Sequence, residues 1–339
     1  MRRHAPELSV AVVEPAGYDA VRIGETLPPH VRPLLDHLGV WDAFGRSSAR
    51  EVHGTAAAWG DGVARPNDFV FGARGPGWHV DRAAFDGLLA AGAERAGGTV
   101  LGGTAVDGVE RRGDGWQVHL RGRSVGARFV VDATGHTAAL ARRMGAESCD
   151  VDRLVAFARF FDDPPADDPR TLVEAFAHGW WYTAGLPGGR RIAACVTDAD
   201  IARHLRLRDP GRWMAELGRT AHVRATVPGG RPGGPPFVRP MHSRRLGRAA
   251  GPGWLAVGDA ASSFDPLSSQ GIFKALRSGI FASYAAADAL AGRNGATERY
   301  DRFVAAEFDG YLRARALFYA AESRWPGSAF WRRRRAQAA

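Results

Sequence analysis

Residues 258–271, GDAASSFDPLSSQG, decide how the rest of this chain is read. They close the short apolar run GWLAVGD (253–259), which has the pattern of a buried strand stopping at Gly258 and Asp259. Small residues then turn the chain, and Pro266 leads into a helix expected to begin at Ser268 or Ser269, with Gln270, Gly271 and then Ile272 in its first turn. A carboxylate at a strand end is suited to accept hydrogen bonds from sugar-like hydroxyls. The free N–H groups of a helix start favour a phosphate or an anionic ring, and a glycine there lets a ligand approach the backbone. The same pattern also serves as a plain strand-turn-helix link with a serine cap.

Working outward, the order of elements is that of an α/β protein that leaves its nucleotide domain and returns to it. LSVAVVE (8–14) reads as a strand ending on an acid, and Val31, Leu34, Leu35 and Leu38 recur at helical spacing before Gly39. Residues 53–80 alternate short apolar stretches with turn residues, as hairpins do, and 80–98 form an amphipathic helix. Strands are expected at 99–101, 105–111, 115–121 and 127–133, a β-α-β order with a three-stranded excursion. LVAFARFF, TLVEAFA, GWWYTAGL and RRIAACVT then read as consecutive antiparallel strands, separated in part by DDPPADDPR (162–170). Helices follow near 199–220, then the loop VPGGRPGGPPF (227–237), and from Ser269 the chain is mostly helical to about Tyr319.

A chain of 339 residues with 45% hydrophobic and 24% charged residues is ordinary for a globular protein. No apolar run approaches the ~20 residues of a membrane span, and no signal-peptide core precedes the first strand, so the expectation is cytoplasmic, with no membrane partner. Cys149 and Cys195 have no C-x-x-C or metal-ligand spacing and are expected to be buried, unreactive thiols, so no metal site is read. The net charge of +9 invites a nucleic-acid reading, but the arginines are scattered and Lys274 is the only lysine. The one dense run, Arg332 to Arg335, is expected to be a solvated tail, and no nucleic-acid partner is assigned.

The 258–271 segment resembles the second FAD-binding motif of the glutathione-reductase-fold flavoproteins, in the aromatic-hydroxylase and flavin-halogenase branch. Other stretches resemble that family in the same order: LSVAVVE, RIGETLPP (22–29), VDRAAFDGLL (80–89), TAVDGV (104–109), VVDATG (130–135) and the tail RWPGSAFWRR (324–333). The resemblance implies FAD as cofactor. It places Glu14 on the adenosine ribose, Arg82 facing the cofactor, backbone at Val106 near the adenine, and Asp132 and Gly135 near the ribityl and pyrophosphate region. It implies a Rossmann-like FAD-binding domain over 1–150 and 236–292 with a β-meander, an inserted antiparallel-sheet substrate domain over 151–235, and a C-terminal helical region over 293–339. Family members open with a first strand and a Gly-x-Gly-x-x-Gly loop, which this sequence lacks by about 25 to 30 residues if the acid lies ~20 beyond the loop. A start assigned too late is the favoured explanation over a natural pseudo-enzyme, and the chain as written is expected to bind FAD poorly.

The resemblance implies a monooxygenase acting on an indole- or phenol-like substrate, free or bound to a peptide or carrier. Its route is a flavin C4a-hydroperoxide, with O2 as co-substrate and NAD(P)H or a partner flavin reductase as electron source. SSQG resembles the flavoproteins that hydroxylate a tryptophan side chain during maturation of quinone-cofactor amine oxidases. Halogenation is an alternative, disfavoured because halogenases pass hypohalous acid to an essential lysine well before the second FAD motif, whereas Lys274 lies inside it. A geranylgeranyl-reductase-like activity and a non-catalytic basic binding protein are further alternatives. Aromatic residues including Trp180, Trp181, Tyr182, Phe157, Phe160 and Phe161 suit either an aromatic substrate or a sheet core. His53, His79, His178 and His242 suit either an acid-base role at the flavin or a structural or surface place, and Glu25 and His53 are the candidates named on the substrate side.

Overall fold

The computed structural model describes residues 1–18, 22–72, 75–162, 169–227 and 232–336. Residues 163–168 of the expected turn and 228–231 of the expected loop lie outside the described residues. The expected α/β architecture is present, with helices flanking several sheets.

The largest sheet has seven strands. Its centre is four antiparallel strands in the order Leu154–Asp162, Arg190–Asp198, Gly179–Leu186 and Thr171–Phe176, so the first in sequence pairs with the last. Phe237–Pro240 lies outside Leu154–Asp162, and the hairpin Gly54–Ala58 and Ala64–Asp68 joins the other edge, parallel to Thr171–Phe176. The domain boundaries drawn at 150 and 236 therefore do not follow sheet pairing. Successive strand residues face opposite sides, and this pleat explains the tryptophan pair. Trp181 packs with Phe157, Phe161 and Trp213 under the helix Pro210–Gly218, while Trp180 packs with Tyr319, Phe330 and Trp331 on the other face. All of these but Phe157 are under 2% exposed, so they form core rather than a substrate surface.

The nucleotide part is built from shorter pieces. Ala11–Glu14 runs parallel to Thr99–Gly102 in one two-stranded sheet, and Val130–Asp132 runs parallel to Trp254–Ala256 in another sheet. Val12 and Val131, at 39% and 41% exposed, lie on edge strands of these separate sheets. The meander has strands at Val106–Arg112, Gly115–Leu120 and Arg123–Ala127, the last in a stretch where no strand was expected. The hairpin region also divides: Arg50–Val52 and Gly77–His79 join Thr26–Leu27 in a separate three-stranded sheet. The long helices Gly271–Leu290 and Ala296–Ala320 back the nucleotide part, where Tyr300 donates a hydrogen bond to the Ala256 carbonyl at 2.8 Å.

Two further expectations are corrected. Cys195 is buried but Cys149 is exposed, because it lies on a short edge strand, Ser148–Asp150, whose three residues are all exposed. The arginine run is not a solvated tail. It lies in the helix Ala329–Ala336, where Arg334 is 2% exposed, donates to both oxygens of Asp198 at 2.9 and 2.7 Å, and covers the Phe330 ring. Arginine stems cover apolar surface while the guanidinium finds a carboxylate, which draws the run onto the protein. No helix among the described residues is long and apolar enough to cross a membrane.

Candidate functional site

The turn after Trp254–Ala256 is held from three directions. Val257 donates its N–H to the Asp132 carbonyl at 2.9 Å, which brings the GDAA turn beside the DATG turn. Gly258 adopts a left-handed φ of +56°, and a Cβ there would approach Ala275 to 3.3 Å; its N–H donates to Ser278 at 2.9 Å. Glycine is thus required for the strand to end against the helix. Asp259 follows with its side chain 48% exposed, one oxygen accepting from Lys274 at 2.8 Å.

Asp132 is fully buried, and both its oxygens are used, by the N–H groups of Thr134 and Ala141 at 2.8 and 2.7 Å. Both bonds shape the turn that carries Gly135. His136, next to Gly135, stacks edge-on with His242, and burial with the nearby Arg244 holds its pKa down to about 4.

The helix start differs from expectation. Pro266–Ser268 is a separate 3-10 turn capped by Asp265, Ser269 is left-handed at φ +50°, and the α-helix begins only at Gly271, with Gln270 as its cap. The left-handed residue interrupts the spiral, so Ser269 and Gln270 lie ahead of the helix. A Cβ on Gly271 would meet nothing within 4 Å, so the protein itself does not demand glycine, and the space above it is open. Ile272 packs against the cluster of Leu27, Val31 and Trp78, which joins this motif to the RIGETLPP stretch.

At the other end, Glu14 closes its strand with one oxygen accepting from Ala16 N–H and from Arg22, at 3.2 and 3.3 Å. Its carbonyl accepts from Thr104 at 3.0 Å, which places the Val106 strand beside it. Arg82, expected to face the cofactor, is braced by partners within the protein. It bonds Asp86 in the next helical turn and the carbonyls of Ile23 and Gly24, because those acceptors lie within reach of its stem.

Of the two acid-base candidates, only Glu25 is enclosed. It is 3% exposed, Tyr182 donates to Oε2 at 3.3 Å, and Oε1 has no hydrogen-bond partner. Burial pushes its pKa up to about 7, against the pull of local backbone N–H groups and Arg82. His53 is exposed between two strands and joins no such cluster. His79 is fully buried between the Gly185 carbonyl and Thr171, and burial lowers its pKa to about 4, so it is a neutral structural group.

These residues fit FAD at two ends. Asp259 and the open Gly271 start suit the ribityl chain and ring, and Glu14 beside Val106 suits the adenosine. The profile of the tryptophan halogenase family matches residues 55–339. The chain belongs to the tryptophan halogenase family. It is 30% identical over 335 residues to a putative FAD-dependent oxidoreductase, LodB, of Marinomonas mediterranea, covering 96% of this chain and 90% of that one. Among solved structures, the flavin-dependent halogenase CmlS superposes with a TM-score of 0.87 at 23% identity, over 98% of this chain and 64% of that one. The peptidyl tryptophan dihydroxylase QhpG superposes with a TM-score of 0.79 at 25% identity, over 98% of this chain and 74% of that one. This tryptophan halogenase family member is an FAD-dependent oxidoreductase of the halogenase-like branch. Tyr182 and Lys274 were legible only in part: Tyr182 suited either an aromatic substrate or a sheet core, and Lys274 stood out only as the sole lysine, set in the FAD-like motif.

Proposed function

We propose that this chain is an FAD-dependent monooxygenase that hydroxylates an indole- or phenol-like group, presented on a peptide or carrier. The observation that carries the reading is the state of its single lysine. Lys274 is 1% exposed, and its ammonium is committed to Asp259, the Ser262 carbonyl and the face of Phe264. No lysine amine is free to take up an oxidised halogen. QhpG, which by name acts on a peptidyl tryptophan, supports the peptide-borne substrate.

When bound and reduced, FAD supplies the activation of O2, with electrons from NAD(P)H or a partner flavin reductase. The chain's own residues bind and orient. Glu14 and Asp259 would take ribose and ribityl hydroxyls, and the backbone N–H groups at Gly271 and Ile272 would hold the ring. Glu25 accepts the proton that the aromatic carbon gives up as oxygen is inserted, and Tyr182 holds the carboxyl in place. In sum O2, two electrons, two protons and the ring C–H become a phenol-type C–OH and water. A carboxyl with a pKa near the working pH is suited to that transfer.

Halogenation is the second reading, favoured by the family itself. Both are tested by incubating the protein with FAD, a flavin reductase, NADH, O2 and a tryptophan-containing peptide, with and without chloride or bromide. Mass spectrometry is expected to show addition of one oxygen whether or not halide is present. A halogen-bearing product without an oxygen-bearing one overturns the proposal.

A further inference from the structure

We infer that Lys274 is a positioning residue for FAD, which acts through Asp259; this rests on the FAD site described above. Lys274 is in the first turn of Gly271–Leu290, and its stem runs back beneath the 258–264 turn. Its ammonium donates to Asp259 Oδ1 at 2.8 Å and to the Ser262 carbonyl, and lies 4.5 Å from the centre of the Phe264 ring. The pair is lopsided: the lysine side chain is 1% exposed and the aspartate 48%. Asp259 Oδ2 has no hydrogen-bond partner among the described residues. One oxygen is therefore fixed from behind by a buried cation, while the other is presented to the open side, where ribityl hydroxyls would lie. The lysine also ties the GDAA turn to the helix start, so the two parts of the motif that face the cofactor hold one geometry. Pre-orienting a carboxylate in this way removes the cost of ordering it at binding. Arginine has the donors but not the compact point charge, so it replaces lysine only in part.

The test is a double-mutant cycle on FAD affinity, read by quenching of flavin fluorescence in the full chain, with circular dichroism and Tm as the measure of fold. Lys274→Met is expected to raise the FAD Kd about tenfold, a change of ~1.4 kcal/mol, and Lys274→Arg is expected to recover part of it. In an Asp259→Asn background, Lys274→Met is expected to change Kd less than threefold. Equal losses in both backgrounds overturn the proposal, as does a folded Lys274→Met with unchanged Kd. If Lys274→Met does not fold, Lys274→Gln takes its place in the cycle, and the Lys274→Arg comparison reads the same interaction. Failure of the unsubstituted protein to bind FAD at all falls on the FAD site itself, not on the role of Lys274.

Discussion

At Glu25, burial and chemistry meet in one carboxyl. Its Oε1 is buried without a partner, and its pKa is raised from 4.5 to about 7 chiefly by burial. The folded protein therefore holds this proton more tightly than the unfolded chain does. Stability from this group is full below about pH 4.5 and is lost as pH rises through about 7, a swing of ~3 kcal/mol. Glu25→Gln is expected to remove that slope, so that urea unfolding across pH 5–8 shows a flatter profile than the parent. If Glu25 accepts the substrate proton, kcat/KM of the parent rises through about pH 7 and the glutamine variant loses both the rise and at least tenfold in rate. A Glu25→Gln protein with the parent's pH-rate profile removes Glu25 from the mechanism. Tyr182→Phe provides the companion measurement. It deletes the one hydroxyl bonded to Glu25 and is expected to shift that profile to higher pH, since the hydrogen bond favours the ionised form.

At the scale of elements, the C-terminal helix Ala329–Ala336 shows what local sequence conceals. The run Arg332 to Arg335 reads as a solvated tail because no carboxylate adjoins it in sequence. The carboxylates that pair Arg333 and Arg334, Asp198 and Asp200, are more than 130 residues away. Burial alone would raise the pKa of Asp198, but Arg334 and then Arg333 outweigh it and hold the carboxyl below its usual range. Asp198→Asn leaves a buried guanidinium uncompensated and is expected to cost about 3–5 kcal/mol in chemical unfolding at neutral pH. The sign follows from the depressed pKa: the contribution is present above the unfolded value and fades as pH falls below about 4, so parent and variant converge in acid. The same limit explains the rest of the site. GDAASSFDPLSSQG and VVDATG were legible because each is a contiguous strand-turn unit with a local mechanism. Tyr182 meets Glu25 across 157 residues, and only the pleat of the large sheet decides that Tyr182 turns toward it. The helix start was misplaced by two or three residues because a left-handed serine, unlike a glycine or proline, leaves no mark in the sequence.

At the scale of the whole molecule, the two ends of the proposed FAD site belong to different sheets. Glu14 and Val106 lie by the Ala11–Glu14 and Thr99–Gly102 pair, whereas Asp132 and Asp259 flank Val130–Asp132 and Trp254–Ala256. Among the described residues no strand joins these two sheets. A single ligand that contacts both ends would do more than fill a cleft: it would link the edges of two sheets. Ligand binding to the native state at a hundredfold excess over Kd adds about 2.7 kcal/mol of stability, which for a chain of this size corresponds to a Tm rise on the order of 5 °C. Local opening carries its own free energy, and amide exchange reads it strand by strand. Saturating FAD is expected to slow exchange in Ala11–Glu14 and Val130–Asp132 together, beyond the slowing that global stabilisation gives the central strands Leu154–Asp162 and Arg190–Asp198. Protection confined to the 130–132 and 254–256 strands would place the flavin on the ribityl end alone and remove Glu14 from the site. Flavin mononucleotide supplies the control: lacking the adenosine, it is expected to protect Val130–Asp132 without protecting Ala11–Glu14.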